Sequence, residues 1–540
     1  MSHPRALVAF GAAGAVAIAL VSGCSGPSEP NPSGSGATIT TPGAEEPFIA
    51  RVDPKAPSGG QLTVQLDYDA AELGGLDPAA ATVARAWMIE GLVYETLVNI
   101  DESLSPVPGL ALSWSRPDDV TYVFQLDPAA TFSNGRTMTA EDVVGSLDRL
   151  RNSENVWAAQ LGPITSVSVT GEHEVTVVLA SPYTPFLPAL ANTPAAVLPI
   201  AELEAGEFDP VTEMLGTGPF VVDEHRQDEY WDFSLNPHYA DELGVSSLRL
   251  DIVAEETARV ASLKNGNSDL SIFNSVDSVG ELSAAGLTSA AQRNTDFYYL
   301  VVNSRSSNEK LADPAVRAAV NAAVDRDQLN ELVFNNQSGA TGVTPASLPD
   351  ACDPAELPSA RADIEGAKAV IDAIGGLDVN LIVYTDEPVL AEMAQVMQQQ
   401  LTRIGVTTKI EQYDFATYSA KVYGDPSDFD LALNWYAGYA DPSMVTRWWS
   451  PDLAGFSSVF MRGSDELDRL IEAGAATPSG EARAQVLTDL CVEADEGSEM
   501  IALLARPAIL GWNAGAVSPT LAAREGYGNF LRHIAEYRAS

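Results

Sequence analysis

Positive charge is scarce in this chain of 540 residues. It has 30 Lys and Arg against 74 Asp and Glu, so its formal net charge at pH 7 is −44. A field of that sign repels nucleic acid and anionic lipid head groups, which excludes nucleic-acid partners. The excess acid can simply keep a secreted protein soluble, or it can favour cationic ligands, and net charge alone does not separate these two roles.

Catalytic and metal-binding motifs are missing as well. The chain has no HExxH, GxSxG or Walker-type sequence, and its five histidines lack metal-ligand spacing. The glycines of LGTGPF, residues 215–220, are too few and precede no helical pattern, so this stretch predicts a turn rather than a phosphate-binding loop. We therefore expect no catalytic residue, no metal and no cofactor, and we expect that the protein is not an enzyme.

The N-terminus begins with an uncharged apolar run. Residues 6–23 are rich in Ala and Gly and are short for a membrane span, which is typical of a signal peptide. The run ends in Val21-Ser22-Gly23-Cys24, which resembles the lipobox of bacterial lipoproteins and implies that Cys24 is diacylated. Ordinary secretory cleavage after Gly23 is the alternative.

The segment after Cys24 predicts a tether. Residues 25–47 are mostly Pro, Gly, Ser and Thr, so they cannot bury enough apolar surface to offset the entropy lost on ordering. We predict a signal peptide over 1–23 and a lipidated Cys24 with a flexible tether over 24–57. Two acyl chains suffice for stable anchoring, so we expect the protein at the outer face of the cell membrane, attached only through this lipid.

Only two cysteines remain after Cys24, namely Cys352 and Cys491. In an oxidising compartment such a pair can form a disulfide, which by the chain-entropy model would contribute about 4–5 kcal/mol. Two separate buried thiols are the alternative, because the sequence does not show that the residues meet.

Apolar patterns divide the remaining chain into two kinds of structure. Residues 79–98 predict a helix, and a β-rich block follows in which Thr139 and Asp142 have capping-box spacing. Residues 379–435 read strand, helix, strand, helix, strand, and the first of these helices runs from Pro388 to about Ile404. Such crossover helices imply a parallel sheet buried on both faces, so the fold class is α/β.

Aromatic residues make up only 7% of the chain, yet three of them cluster after the last strand of that unit. The stretch NWYAGYADP, residues 434–442, contains Trp435, Tyr436 and Tyr439. In open parallel sheets, ligands bind beyond the carboxyl ends of the strands, so these side chains are candidates for a pocket wall. The alternative is that one or two of them fill the protein interior.

Six stretches, in order along the chain, resemble the solute-binding proteins of ABC transporters in the peptide, dipeptide and nickel group, known as family 5. The resemblance implies a two-lobe fold of the periplasmic-binding-protein type (class II, cluster C) with an extra subdomain in the first lobe. The stretches that carry it are residues 90–114, 121–150, 215–222, 259–270, 299–329 and 429–442.

The resemblance also implies boundaries and partners. Lobe I would comprise 58–78, 206–296 and 504–540, the extra subdomain 79–205, and lobe II 297–503, with chain crossings near 297–303 and 501–506. The expected partners are an ABC permease with its ATPase, and the expected state is a monomer. The lobes would close over a ligand, and the closed form would be recognised by the permease.

The ligand expected from the resemblance is a short peptide, with one departure. Peptide-binding relatives commonly carry an Asp for the peptide's ammonium in the loop after the Trp, where this chain has Gly438 preceded by Ala437. If the pocket is peptide-like but lacks this acid, Gly438→Asp should raise the affinity for free-amine peptides. Asp441 matches a second Asp of the family, which we interpret as structural.

Other readings stay open at this stage. The cargo can instead be a sugar derivative, haem or a siderophore-like molecule, or the protein can be a signalling or cell-wall interaction lipoprotein without a transport role. The candidate ligand-binding residues are Trp435, Tyr436, Ala437, Gly438 and Tyr439.

Overall fold

The protein is described by a computed structural model that covers residues 48–70, 76–81, 84–153, 155–360, 363–436, 438–454, 456–522 and 530–540. All of these residues belong to one unit of the chain, Ala37–Ser540. The predicted signal peptide and Cys24 lie outside the described residues, and so does Ala437. None of the described helices is both long and apolar enough to cross a membrane.

A ten-stranded mixed sheet forms the framework of this unit. From one edge to the other, its strands are β15 (Val406–Tyr413), β14 (Leu377–Tyr384), β16 (Leu431–Tyr436), β13 (Thr288–Val302), β17 (Met500–Trp512), β12 (Leu270–Phe273), β2 (Gly60–Leu66), β11 (Val245–Ile252), β10 (Tyr230–Leu235) and β9 (Phe220–Arg226).

Smaller sheets accompany it. A four-stranded antiparallel sheet has the order β5 (Ala111–Ser115), β6 (Thr121–Leu126), β8 (Glu174–Leu179) and β7 (Ile164–Gly171). The remaining described strands form pairs: β1 (Phe48–Ala50) with β19 (Leu521–Ala522), β3 (Val98–Ile100) with β4 (Pro106–Pro108), and β18 (Val517–Ser518) with β20 (Arg538–Ala539).

The described α-helices pack around these sheets. They are α1 (Ala84–Glu90), α2 (Ala140–Arg151), α3 (Val156–Gln160), α4 (Phe186–Leu190), α5 (Ile200–Ala205), α6 (Glu256–Asn265), α7 (Asp277–Ala284), α8 (Pro314–Ala323), α9 (Arg326–Phe334), α10 (Ile364–Ala373), α11 (Pro388–Arg403), α12 (Phe415–Tyr423), α13 (Pro442–Thr446), α14 (Pro451–Ala454), α15 (Asp465–Ala476) and α16 (Glu481–Gly497).

The predicted β-α-β-α-β unit is confirmed. Strand β14 pairs in parallel with β15 and with β16, and the crossovers are α11 and α12. Helix α11 begins at Pro388, whose missing N–H removes no hydrogen bond because the first N–H groups of a helix have no partner within it. Gly405 follows the end of the helix with a φ of +88°, a conformation that favours glycine. The sequence predicted both crossover helices because residues that favour helix ends bound each of them.

Two long strands connect the halves of the large sheet. Strands β13 and β17 pair antiparallel, and the ladder is irregular between Arg293 and Phe297. On one side of that irregularity β17 pairs with β12, and on the other side β13 pairs with β16. The predicted lobe boundaries at 296/297 and 503/504 both fall within these strands. The boundaries themselves stay a prediction.

The extra subdomain shows one correct and one wrong helix prediction. Thr139 and Asp142 form a capping box at the start of α2, as the spacing predicted. The helix predicted over 79–98, however, ends at Glu90. The chain turns there because Gly216 and Gly218 of LGTGPF pack directly against the carbonyl of Val93, a contact distant in sequence.

The predicted tether is also too long. Its last residues include β1, which pairs with β19, and the guanidinium of Arg51 lies over the ring of Phe48. A Phe-Ile-Ala stretch can bury apolar surface, which the Pro- and Ser-rich segment before it cannot. The structure therefore begins earlier than residue 58.

The carboxyl of Glu95 gives a pH-dependent prediction. Burial raises its pKa from 4.5 to about 7, and the nearby Asp127 and Asp241 act in the same direction. The folded state then holds a proton that the unfolded chain releases near pH 4.5. The contribution of Glu95 to the free energy of unfolding should thus fall by about 3 kcal/mol as the pH rises from about 4.5 to above 7.

Urea unfolding at pH 5 and pH 8 measures this effect. Glu95→Gln should change the difference between the two pH values by about 3 kcal/mol, and the exposed Glu207→Gln should leave it as in the wild type. An unchanged difference in Glu95→Gln would show that other groups cause it.

Cys352 and Cys491 are joined by a disulfide, and their Cα atoms lie 6.2 Å apart. Cys491 lies on α16, and the backbone N–H of Cys352 donates to Thr344 Oγ1 over 2.8 Å. Both cysteines are buried. The bond ties α16 to a loop 139 residues earlier in the chain.

Candidate ligand-binding cleft

The carboxyl ends of several strands bring polar side chains together. Asp67 and Tyr68 follow β2, Asn274 follows β12, and Glu387 follows β14 by three residues. Trp435 is the last residue but one of β16. Because ligands in open α/β sheets bind beyond these strand ends, we take this region as the candidate cleft.

Glu387 and Arg506 form a buried ion pair on one side of the cleft. Arg506 Nη2 lies 3.1 Å from Glu387 Oε1, and the side chains are 11% and 8% exposed, respectively. Burial raises the pKa of Glu387, and the Arg506 charge opposes that rise. The guanidinium of Arg506 also lies 4.2 Å from the ring centre of Trp435, a cation–π contact.

Asp67 and Arg85 form a second buried pair. Arg85 Nη2 donates to Asp67 Oδ1 over 2.5 Å, and Asn274 Nδ2 donates to Asp67 Oδ2 over 3.0 Å. Burial disfavours the charged carboxylate, but Arg85 and Asn274 hold the pKa of Asp67 below its usual value. The Arg85 guanidinium lies 4.6 Å from the ring centre of Tyr68, which is 46% exposed.

The two pairs influence each other. The charge of Arg506 contributes to lowering the pKa of Asp67, and the charge of Asp67 contributes to raising the pKa of Glu387. The sheet explains this proximity: Phe273 pairs with Ile509, so the strand end that carries Asn274 lies beside the part of β17 that leads to Arg506.

The predicted aromatic residues occupy different environments. Trp435 is half-buried beside Arg506, whereas Tyr436 and Tyr439 are buried. The ring of Tyr436 lies 4.8 Å from that of Trp448, and the ring of Tyr439 lies 4.9 Å from that of Trp157 in the extra subdomain. Trp435 therefore keeps part of its indole exposed in the candidate cleft, while the two tyrosines pack in the interior, as the alternative interpretation held.

Gly438 has no room for a side chain. A Cβ atom there would overlap the backbone carbonyl of Thr295. The N–H of Gly438 donates to the buried carboxylate of Asp296 over 3.0 Å. The geometry therefore argues against the expectation that Gly438→Asp would strengthen amine binding, because strand β13 occupies the space that the side chain would need.

The family follows from comparison with known proteins. The model of the bacterial extracellular solute-binding proteins, family 5 Middle, matches residues 105–455, which is more than half of the chain. The chain belongs to this family. It is an extracellular solute-binding protein, as the order of its sequence blocks implied.

Individual relatives agree with that assignment. The probable D,D-dipeptide-binding periplasmic protein DdpA of Escherichia coli (strain K12) is 27% identical over 429 residues, which cover 76% of this chain and 82% of DdpA. The probable di/tripeptide-binding protein 5 of Pseudomonas aeruginosa is 27% identical over 412 residues, covering 70% and 77%. The fold matches that of Helicobacter pylori DppA in complex with the peptide STSA, with a TM-score of 0.76, 18% identity and coverage of 89% and 98%.

In this solute-binding protein, Asp441 has a structural role. Its carboxylate accepts a hydrogen bond from the Ser443 N–H at the start of α13. It also pairs with Arg483 Nη2 at 2.6 Å, and both side chains are buried. This contact fixes the loop that follows Trp435 against α16, which agrees with the interpretation of Asp441 made from the sequence.

Sequence reasoning missed the charged residues of the cleft. Ligands in open parallel sheets bind beyond the carboxyl ends of the strands, and the sequence analysis considered only residues 434–442 in that light. Asp67 follows an apolar strand directly, and Glu387 follows another within three residues. Arg85 and Arg506 give no local signal, because their partners are distant in sequence. The same rule applied to every strand would have found both acids.

Proposed function

We propose that this solute-binding protein captures a short peptide between its lobes and delivers it to the permease of an ABC importer. The single observation that carries the proposal is the cleft itself, in which the half-buried indole of Trp435 stands beside two buried ion pairs at the strand ends. Such a surface offers an apolar wall together with donors and acceptors, which suits a peptide. The names of the two curated relatives support this cargo.

The location and partners belong to the same proposal. The lipobox-like sequence at Cys24 supports anchoring through a lipid on that residue, so the lobes work outside the cell membrane. The protein acts as a monomer and carries no catalytic activity. The buried pairs and the indole bind the cargo without transforming it.

A thermal-unfolding screen with di- to pentapeptides tests this function. A peptide at one hundred times its dissociation constant should raise the free energy of unfolding by about 2.7 kcal/mol. Trp435→Ala should lose most of this gain, whereas Trp114→Ala, a half-buried indole on β5, should retain it.

Two results of the screen would overturn the peptide assignment, and a third would overturn the assignment of the site. Stabilisation by sugar derivatives or haem but by no peptide would assign a non-peptide cargo. Stabilisation by no small molecule would favour an interaction lipoprotein. Equal stabilisation of wild type and Trp435→Ala would place the ligand elsewhere in the protein.

A further inference from the structure

The parallel ladder between strands β14 and β16 stops before either strand ends. In the described part of the chain, its last pair joins Ile382 to Ala432. Strand β14 continues to Tyr384 and β16 continues to Tyr436, so Trp435 lies beyond the ladder. Backbone groups that the ladder no longer pairs need other hydrogen-bond partners, because a buried group without one is costly.

Side chains supply partners at the end of β16. The carbonyl of Leu433 accepts a hydrogen bond from the hydroxyl of Tyr418 on α12 over 2.8 Å. The backbone N–H of Trp435 donates to Oδ1 of the preceding residue, Asn434, over 2.8 Å. The backbone of β16 is therefore held by side chains at the level where its indole reaches the candidate cleft.

The carboxamide of Asn434 joins three elements of the fold. Its Oδ1 also accepts from the hydroxyl of Tyr384, the last residue of β14, over 3.2 Å. Its Nδ2 donates to the hydroxyl of Tyr423 on α12 over 3.2 Å. Asn434 is only 8% exposed, so these bonds form away from water. One side chain thus links β16, β14 and α12 where the ladder no longer joins the two strands.

Both strand ends that this carboxamide connects lead to residues of the candidate cleft. Trp435 follows Asn434 directly, and Glu387 follows Tyr384 by three residues. Breaking a buried hydrogen bond on one side leaves the other partner unsatisfied, so the network resists displacement of either strand end. A site whose walls are held in place beforehand binds more tightly, because less freedom is lost on binding.

We infer that Asn434 is a positioning residue, which holds the indole of Trp435 in a fixed place relative to the end of β14, so that this wall of the cleft is formed before a ligand arrives. The effect on peptide binding rests on the proposed function. The position of the indole does not, and it can be measured without a ligand.

Fluorine NMR of the full chain labelled with 5-fluorotryptophan tests the position of the indole. Of the eight tryptophan signals, that of Trp435 is the one lost in Trp435→Ala. Asn434→Leu removes all three hydrogen bonds at similar volume, so it should shift or broaden this signal and leave that of Trp114 unchanged. Asn303→Leu is the matched control. Asn303 is also buried, and it donates to the carbonyl of Phe429 near the opposite end of β16, so its variant should leave the Trp435 signal in place.

Calorimetric titration of the same variants with the di- to pentapeptide series tests the effect on binding. Asn434→Leu should bind the peptides about tenfold more weakly than the wild type, because the indole is no longer held in place. Asn303→Leu should bind them like the wild type, although it also loses a buried hydrogen bond. Equal weakening in both variants would show a general loss of structure and would overturn the inference.

The outcomes separate the inference from the proposed function. An unmoved Trp435 signal in Asn434→Leu overturns the inference, whatever the peptides do. A displaced signal with unchanged peptide affinity overturns the role of Asn434 in binding. A displaced signal in a protein that binds no peptide supports the positioning and overturns the proposed function. If Asn434→Leu does not fold, Tyr384→Phe/Tyr423→Phe removes two of the three bonds while keeping both rings, and it should displace the same signal.

Discussion

Gly438→Asp is expected to lower the free energy of unfolding by about 4 kcal/mol. The new Cβ would overlap the carbonyl of Thr295 on β13, and backbone cannot move aside as a flexible side chain can. The new carboxylate would also be buried beside that of Asp296, which accepts the Gly438 N–H, and two like charges in a buried site disfavour each other. Both effects act on the folded state.

Urea unfolding of Gly438→Asp and Gly280→Ala measures this difference. Gly280 lies inside α7 with no atom within 4 Å of the position of a Cβ, so Ala there should stabilise the protein by about 0.5–1 kcal/mol. A Gly438→Asp variant as stable as the wild type would show that the loop has room for a side chain. An acid at that position would then be a credible amine anchor after all.

Reduction of the disulfide between Cys352 and Cys491 is expected to lower the free energy of unfolding by about 5 kcal/mol. The bond closes a segment of 139 residues, and constraining so long a loop removes much entropy from the unfolded chain. The α16 helix and the 344–352 loop would keep their other contacts. The folded state should therefore remain the same fold at lower stability.

Denaturant unfolding with and without a reducing agent measures this contribution. The double variant Cys352→Ala/Cys491→Ala should match the reduced wild type and should not respond to the reducing agent. If the reducing agent leaves the wild type unchanged, the two residues are separate thiols in solution, as the alternative from the sequence held.

Local signals in the sequence predicted the elements that depend on local contacts. The Thr139 capping box begins α2, and Pro388 begins α11, as the sequence predicted. The extent of other elements depends on partners distant in sequence. Helix α1 ends at Glu90 because a glycine-containing turn more than a hundred residues later packs on Val93.

The lengths of the two long strands β13 and β17 also depend on partners distant in sequence. The resemblance marks only residues 297–303 and 501–506 as chain crossings, whereas β13 runs over Thr288–Val302 and β17 over Met500–Trp512. Their additional residues pair with each other, and those of β17 also pair with β12. Only the assembled sheet brings these segments together.

Of the residues in the candidate cleft, the sequence pointed to Trp435 but not to the charged side chains. The aromatic stretch at the end of β16 places the half-buried Trp435 at a strand end, and its role in ligand binding stays a prediction. The four charged residues come from separate segments, and a chain with 74 acids offers too many candidate pairs for sequence reasoning to choose between. The absence of an acid at 438 became informative only when the structure showed β13 in its place.

Calorimetric titration with a series of di- to pentapeptides is the most direct test of the central claim, which is that the cleft binds a short peptide. The account predicts saturable binding of one peptide per chain, lost or strongly weakened in Trp435→Ala and retained in Trp114→Ala. Absence of binding by every peptide in the series, or binding that Trp435→Ala leaves unchanged, would contradict it.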